Sequence, residues 1–253
     1  MIQHSNQVNS SFKAEGFVLL EEFISATELG EMHHNVGRFI RDVVPSLPRE
    51  HVFYEDKNDF TSLKQIQQMG MYDPYFRDWM ESGPFFELAQ KLLDGGVVAK
   101  NMQYFNKPSS IGKPTPPHQD GWYFMIDPCA ALTLWFALDD VDEENGCVRY
   151  LPGSHLEGLR THQRSQTLGF SQGLVGYPSK DEIAREVGPH LRAGDLLAHD
   201  ALTIHRTDGN SSITRNRRAL GFIYYSDRAQ ENEQAHASYQ GRLKNELIQS
   251  MEI

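Results

Sequence analysis

From about residue 97 to residue 226 the chain is a succession of short strand-like segments separated by Pro, Gly, Asn and Asp. They are VVAKNMQYFN (97–106), GWYFMI (121–126), ALTLWFALDDV (131–141), CVRYLPG (147–153), DLLAHDALTIH (195–205) and RALGFIYYS (218–226). Apolar runs of this length, bounded by turn residues, read as strands. Many short strands with turn signals between them point to a sandwich or jelly roll.

The helical patterns come first. GFVLLEEFI (16–24) reads as a short strand, and Ser25 with Glu28 then forms an S-x-x-E capping box that opens a helix. Leu29, Met32, Val36, Phe39, Ile40 and Val43 share one helical face, and Pro45 ends the pattern. A second helical region is expected over roughly 61–94. The expected fold is mainly β with N-terminal helices: a double-stranded β-helix (jelly roll, cupin-like) buttressed by α-helices in a single domain. Its parts are a helical buttress mainly over 25–95, a jelly-roll core over about 97–226 and a polar tail, 228–253, read as a surface helix. A chain of 253 residues suits one such domain.

Charge narrows the function. The formal net charge of −10 argues against nucleic acid or an anionic membrane as the main partner, because both reward a basic surface. The two cysteines, Cys129 and Cys147, fit no zinc pattern and suggest a reducing compartment. The start, MIQHSNQVNSSF, has neither a basic nor an apolar signal region, and CAALTLWFAL (129–138) is about half of a membrane span. A cytoplasmic protein acting on a small molecule is expected.

The stretch PPHQDGWYF (116–124) carries the chemistry. On a strand, residues i and i+2 share a face, so His118 and Asp120 would point into one cavity with Gln119 facing away. Of the eleven histidines, His33, His34, His162 and His236 sit in polar settings and read as surface residues, and His155 lies in a turn. His199 and His205 remain as third-ligand candidates. His205, at the end of an apolar run and before the polar turn RTDGN, suits a cavity mouth better. Two histidines and one carboxylate on one face are the facial triad of non-haem Fe(II) oxygenases, with positions left open for cosubstrate and O₂. The same ligands could hold Mn, Co or Zn in a cupin.

Four segments in order, TPPHQD (115–120), LTLWFALDDVDEENGCVRYLPGSH (132–155), RAGDLLAHDALTIHRTDGNSS (192–212) and RRALGFIYY (217–225), resemble the phytanoyl-CoA dioxygenase family of Fe(II)/2-oxoglutarate oxygenases. The resemblance implies Fe(II), 2-oxoglutarate and O₂, with succinate and CO₂ released. It also implies an arginine on a late strand that meets the distal carboxylate of 2-oxoglutarate. The family spacing falls on Asn216, one residue short of Arg217 and Arg218. Alignment on the R-A-L strand favours Arg217, with Arg218 as the alternate. An arginine is required because its fork of N–H donors matches a carboxylate bidentately. Thr207 and Trp135 match residues near that carboxylate, and Gln103 and Thr133 are weaker candidates for lining the cavity.

Asp120 stands where halogenating relatives have a small residue, so hydroxylation of an unactivated C–H bond is the expected reaction. The substrate walls are expected in NKPSSIGK (106–113) and GWYFM (121–125). Asn106, Lys107 and Lys113 would grip an anion, and Trp122, Tyr123 and Phe124 would offer aromatic faces. A small anionic or zwitterionic molecule, 2-aminoethylphosphonate being one example, fits this set. The competing reading is a non-redox cupin-like protein or isomerase with the same His/Asp/His site.

Overall fold

The computed structural model describes residues 5–167, 170–239 and 241. In chain order the strands are β1 Phe17–Leu20, β2 Val52–Tyr54, β3 Leu63–Ile66, β4 Val97–Lys107, β5 Thr115–His118, β6 Ile126–Asp127, β7 Ala131–Ala137, β8 Val148–Tyr150, β9 His162–Thr167, β10 Phe170–Leu174, β11 Leu196–Asp200, β12 His205–Thr207, β13 Arg217–Ser226 and β14 Gln230–Glu231. The helices are α1 Ser5–Glu15, α2 Ala26–Asp42, α3 Met69–Tyr72, α4 Pro74–Glu81, α5 Gly83–Leu92, α6 Gly121–Phe124 and α7 Lys180–Arg185.

A seven-stranded sheet, ordered β1-β11-β7-β13-β4-β3-β2, faces a three-stranded sheet, β5-β12-β8. All their pairings are antiparallel, and the result is the expected jelly roll. Period-2 alternation sorts the large sheet into two faces. Leu132, Leu134, Phe136, Leu196, Ala198, Leu220, Phe222, Tyr224, Met102 and Tyr104 pack against the helices. Trp135, Ala137, Leu197, Ala219 and Phe105 turn to the interior. Because both faces are covered, β7 is buried along its whole length, which explains why its sequence is apolar except at Thr133.

The helix α2 begins as expected. Ser25 Oγ accepts from the Glu28 amide at 3.2 Å, and the Ser25 amide donates to Glu28 Oε2 at 2.8 Å. Met32, Val36 and Phe39 form its buried stripe. Phe85 of α5 joins the helices to the sheet, stacking on Phe222 at 4.1 Å and meeting Phe136 edge-on at 5.5 Å. Phe85→Ala is expected to lower unfolding free energy by about 3–5 kcal/mol. Urea denaturation checks this, and metal affinity should be unchanged in the folded fraction.

Three expectations are corrected. The region 61–94 is not continuously helical: β3 occupies 63–66, and three short helices follow. All four β3 residues are buried, so no alternation marks the strand. GWYFMI is largely a helical turn rather than a strand, with α6 at 121–124. DLLAHDALTIH is two strands, β11 and β12, joined by a turn. Of the expected C-terminal surface helix, residues 233–239 are helical; the remainder lies outside the described residues apart from 241. Among the described residues no helix is long and apolar enough to cross a membrane, and both cysteines are free.

Candidate metal centre

His118 ends β5 and His205 begins β12, and the two strands pair with these residues directly opposite each other. Their rings lie 4.2 Å apart between centroids. Asp120 arrives differently from the strand alternation expected. Its backbone is helical, φ −58° and ψ −34°, at the start of α6. The turn is pinned by the Gly121 amide, which donates to the Ala201 carbonyl at 2.8 Å. Gly121 has no room for a side chain, since a Cβ there would meet Cys129 Sγ at 2.5 Å.

One donor atom from each of His118, Asp120 and His205 falls within a 4.8 Å cluster. Asp120 Oδ1 lies 3.5 Å from His118 Nε2 and 3.7 Å from His205 Nε2. The far ring nitrogens are engaged: His118 Nδ1 with the Pro116 carbonyl at 2.8 Å, and His205 Nδ1 with the Thr203 carbonyl at 3.0 Å. A carbonyl only accepts, so both Nδ1 atoms carry the proton and both Nε2 lone pairs face the cluster. This is the outer support that metal-binding histidines use. Burial, with the imidazoles of His118 and His199 nearby, pushes His205 well below its ordinary pKa and keeps it neutral. Burial alone would raise Asp120, but the imidazoles facing it, with His199 Nε2–H donating to Oδ2, favour its charged form and hold it well below the usual carboxylate range. Two neutral imidazoles and one carboxylate therefore fit a divalent cation of the non-haem iron class.

The cavity around the cluster is walled by both sheets. Arg217, Trp135, Thr207, Asn106, Lys107 and Thr133 line it. Arg217 is 4% exposed, and its Nε has no hydrogen-bond partner. Its guanidinium lies over the Trp135 ring at 5.1 Å, and burial depresses its pKa to about 10. Arg218 points elsewhere and makes a forked pair with Asp139 at 2.6–3.2 Å. Strand alternation thus separates the two arginines. Thr207 Oγ1 accepts from the Thr115 amide at 3.2 Å, which leaves its hydroxyl hydrogen to donate.

Other expectations land differently. Gln103 does not line the cavity; its Oε1 accepts from Gln65 Nε2 at 2.7 Å. Trp122 and Tyr123 do not line it either. Trp122 stacks on His162 at 4.7 Å, and the Tyr123 hydroxyl bonds the Gln172 backbone. Asn106 Nδ2 donates to the Leu63 carbonyl, and its Oδ1 has no partner. Lys107 sits opposite Arg217 in the β4–β13 register, and its ammonium donates to the Lys113 carbonyl. Burial first, then Arg217 and Lys64, push Lys107 well below its ordinary pKa.

Lys64 was missed. It lines the same cavity and pairs with buried Glu55 at 3.4 Å. His199 also lines the cavity, with Nε2 3.2 Å from Asp120 Oδ2, although the metal cluster does not include it.

His162 is not a surface residue. It is buried, donates from Nδ1 to the Arg160 carbonyl and accepts the Gln119 amide on Nε2 at 3.0 Å. It therefore grips the backbone between His118 and Asp120. Burial lowers its pKa to about 4, so the folded protein prefers the neutral ring. The stabilisation is present above the unfolded value near 6.5 and is lost as pH falls from there towards 4. His162→Phe is expected to flatten the acid limb of the stability curve by up to about 3 kcal/mol between pH 7 and pH 4. Urea midpoints of both proteins at the two pH values check this.

The chain is similar to known proteins over most of its length. The phytanoyl-CoA dioxygenase of Arabidopsis thaliana is 27% identical over 247 residues, covering 84% of this chain and 86% of that protein. The crystal structure of the epimerase SnoN in complex with Fe3+, alpha ketoglutarate and nogalamycin RO has TM-score 0.70 at 22% identity, covering 90% of this chain and 85% of that one. The crystal structure of EctD from S. alaskensis with 2-oxoglutarate and 5-hydroxyectoine has TM-score 0.71 at 19% identity, with coverages of 87% and 76%. At these identities the two structures establish the fold. Residues 12–219 match the family described as Phytanoyl-CoA dioxygenase (PhyH), and the chain belongs to that family.

Proposed function

We propose that this chain is an Fe(II)- and 2-oxoglutarate-dependent dioxygenase that hydroxylates an unactivated C–H bond of a small molecule. The supporting observation is a single cavity that holds the His118, Asp120 and His205 cluster together with a buried arginine whose Nε–H is unpartnered. Bound iron, with O₂ and 2-oxoglutarate, supplies the oxidising chemistry, and succinate and CO₂ are released.

The chain's own residues bind and orient. His118, Asp120 and His205 hold the metal from one side and leave its other positions open. Arg217 offers its fork to the distal carboxylate of the keto acid, and Thr207 donates its hydroxyl hydrogen there. Trp135 lies against the guanidinium and fixes its plane. Lys64, paired with Glu55, and Lys107, whose ammonium donates to the Lys113 carbonyl, lie at the same end of the cavity. Lys107, opposite Arg217, is therefore assigned to the cosubstrate rather than to an anionic substrate. The substrate is left as a small molecule without that charge requirement.

The test is Fe(II)-dependent succinate release from 2-oxoglutarate across a panel of small molecules, with mass analysis of each product. Release coupled to gain of one oxygen atom supports the proposal. Release with a product of unchanged mass supports an epimerase, the activity for which the neighbour SnoN is named. No release from the iron-loaded protein with any candidate overturns the oxygenase reading in favour of a non-redox cupin-like role.

A further inference from the structure

The structure holds the Asp120 carboxylate from the side away from the two histidine ligands. Oδ2 accepts Thr133 Oγ1–H at 2.6 Å and is 3.2 Å from His199 Nε2. Oδ1 faces His118 and His205. We propose that His199 is a positioning residue that keeps Asp120 bound to the metal through Oδ1 alone, and so preserves the coordination position the keto acid needs. This rests on the reading of His118, Asp120 and His205 as the metal ligands.

His199 has one consistent proton arrangement. A carboxylate only accepts, so Nε2 carries the hydrogen and Nδ1 is left as an acceptor. The Tyr150 hydroxyl, 3.0 Å from Nδ1, is placed to donate to it. Tyr150 is fully buried and stacked on Phe17 at 4.5 Å, which fixes the hydroxyl in place. His199 itself is 2% exposed on β11, paired between Phe17 of β1 and Thr133 of β7. The chain Tyr150–His199–Asp120 is therefore rigid at every link.

With two hydrogen bonds on Oδ2, turning the carboxylate to chelate would break both. A chelating Asp120, or His199 as a fourth ligand, would leave only two of six positions. The keto acid and O₂ together need three.

The test uses His199→Phe, which keeps a ring and removes the donor, and His199→Gln, which restores an amide donor. Anaerobic Fe(II) affinity is measured first, then 2-oxoglutarate affinity at saturating Fe(II). His199→Phe is expected to weaken 2-oxoglutarate about tenfold or more and to change Fe(II) affinity by less, with His199→Gln recovering most of the loss. A merely structural role would lower melting temperature and Fe(II) affinity while the iron-loaded fraction bound 2-oxoglutarate normally, and that result overturns the proposal. Should His199→Phe fail to fold, Thr133→Val removes the other donor to the same oxygen. The same split is expected, and its absence is equally contrary. Failure of the wild-type protein to bind Fe(II) would instead overturn the metal-site reading.

Discussion

Asp120→Ala is expected to abolish Fe(II) binding and 2-oxoglutarate turnover, by more than the roughly 10–100-fold that loss of a supporting partner brings. Asp120 is the only carboxylate in the cluster, and without it two neutral imidazoles remain to neutralise a divalent ion. The change has a second, measurable cost. Thr133 Oγ1 and His199 Nε2 both lose their buried acceptor, and each stranded donor costs about 1–3 kcal/mol. The metal-free Asp120→Ala protein should therefore unfold at lower urea concentration than wild type. Asp120→Asn keeps an acceptor oxygen and removes the charge, so it should lose iron while recovering most of that stability. Fe(II) titration alongside urea denaturation separates the two effects. Wild-type iron affinity in either variant would contradict the assignment.

Arg217→Met should act in opposite directions on stability and on binding. Arg217 is a buried cation with an unpartnered Nε, packed on Trp135 and near Lys107. Its depression to about 10 means that the folded state disfavours the charge, by on the order of 3 kcal/mol at neutral pH. Exchange of such a group for an apolar side chain of similar size is often stabilising by about 1–4 kcal/mol. The metal-free variant is thus expected to melt higher than wild type. With 2-oxoglutarate present the sign reverses, because truncating one partner of a buried charged pair costs about 2–5 kcal/mol, or a loss of affinity of 30-fold or more. Isothermal titration at saturating Fe(II), with thermal melts in the presence and absence of 2-oxoglutarate, checks both halves. Arg218→Met should leave 2-oxoglutarate affinity unchanged, since Arg218 pairs with Asp139.

What could be read from sequence followed the strength of local signals. The Ser25/Glu28 box marks the start of α2 because its two hydrogen bonds are made within four residues. The choice of Arg217 over Arg218 followed from alignment on the R-A-L strand, and strand alternation places only one of the two in the cavity, Arg217, while Arg218 pairs with Asp139. Where both faces of a segment are buried, as in β3, apolar residues at 63 and 66 satisfy a helical period as well as a strand. The helical turn at 121–124 escaped notice because Trp, Tyr and Phe favour strands locally. The turn is imposed by the distant Ala201 carbonyl. His162 carries no local mark, because its importance comes from Gln119, which the fold brings to it from 43 residues away. His199 stands out in the sequence as a ligand candidate, but its contact with Asp120 Oδ2, 79 residues distant, is made only by the fold.

The central claim is that His118, Asp120 and His205 hold Fe(II) beside a 2-oxoglutarate subsite anchored by Arg217. Anaerobic titration of the metal-free protein with Fe(II) and then 2-oxoglutarate, followed by visible absorption, tests it most directly. A weak charge-transfer band is expected that appears only when both are present, is absent in Asp120→Ala and needs much more 2-oxoglutarate in Arg217→Met. An iron-loaded wild-type protein that shows no such band at saturating 2-oxoglutarate would contradict it.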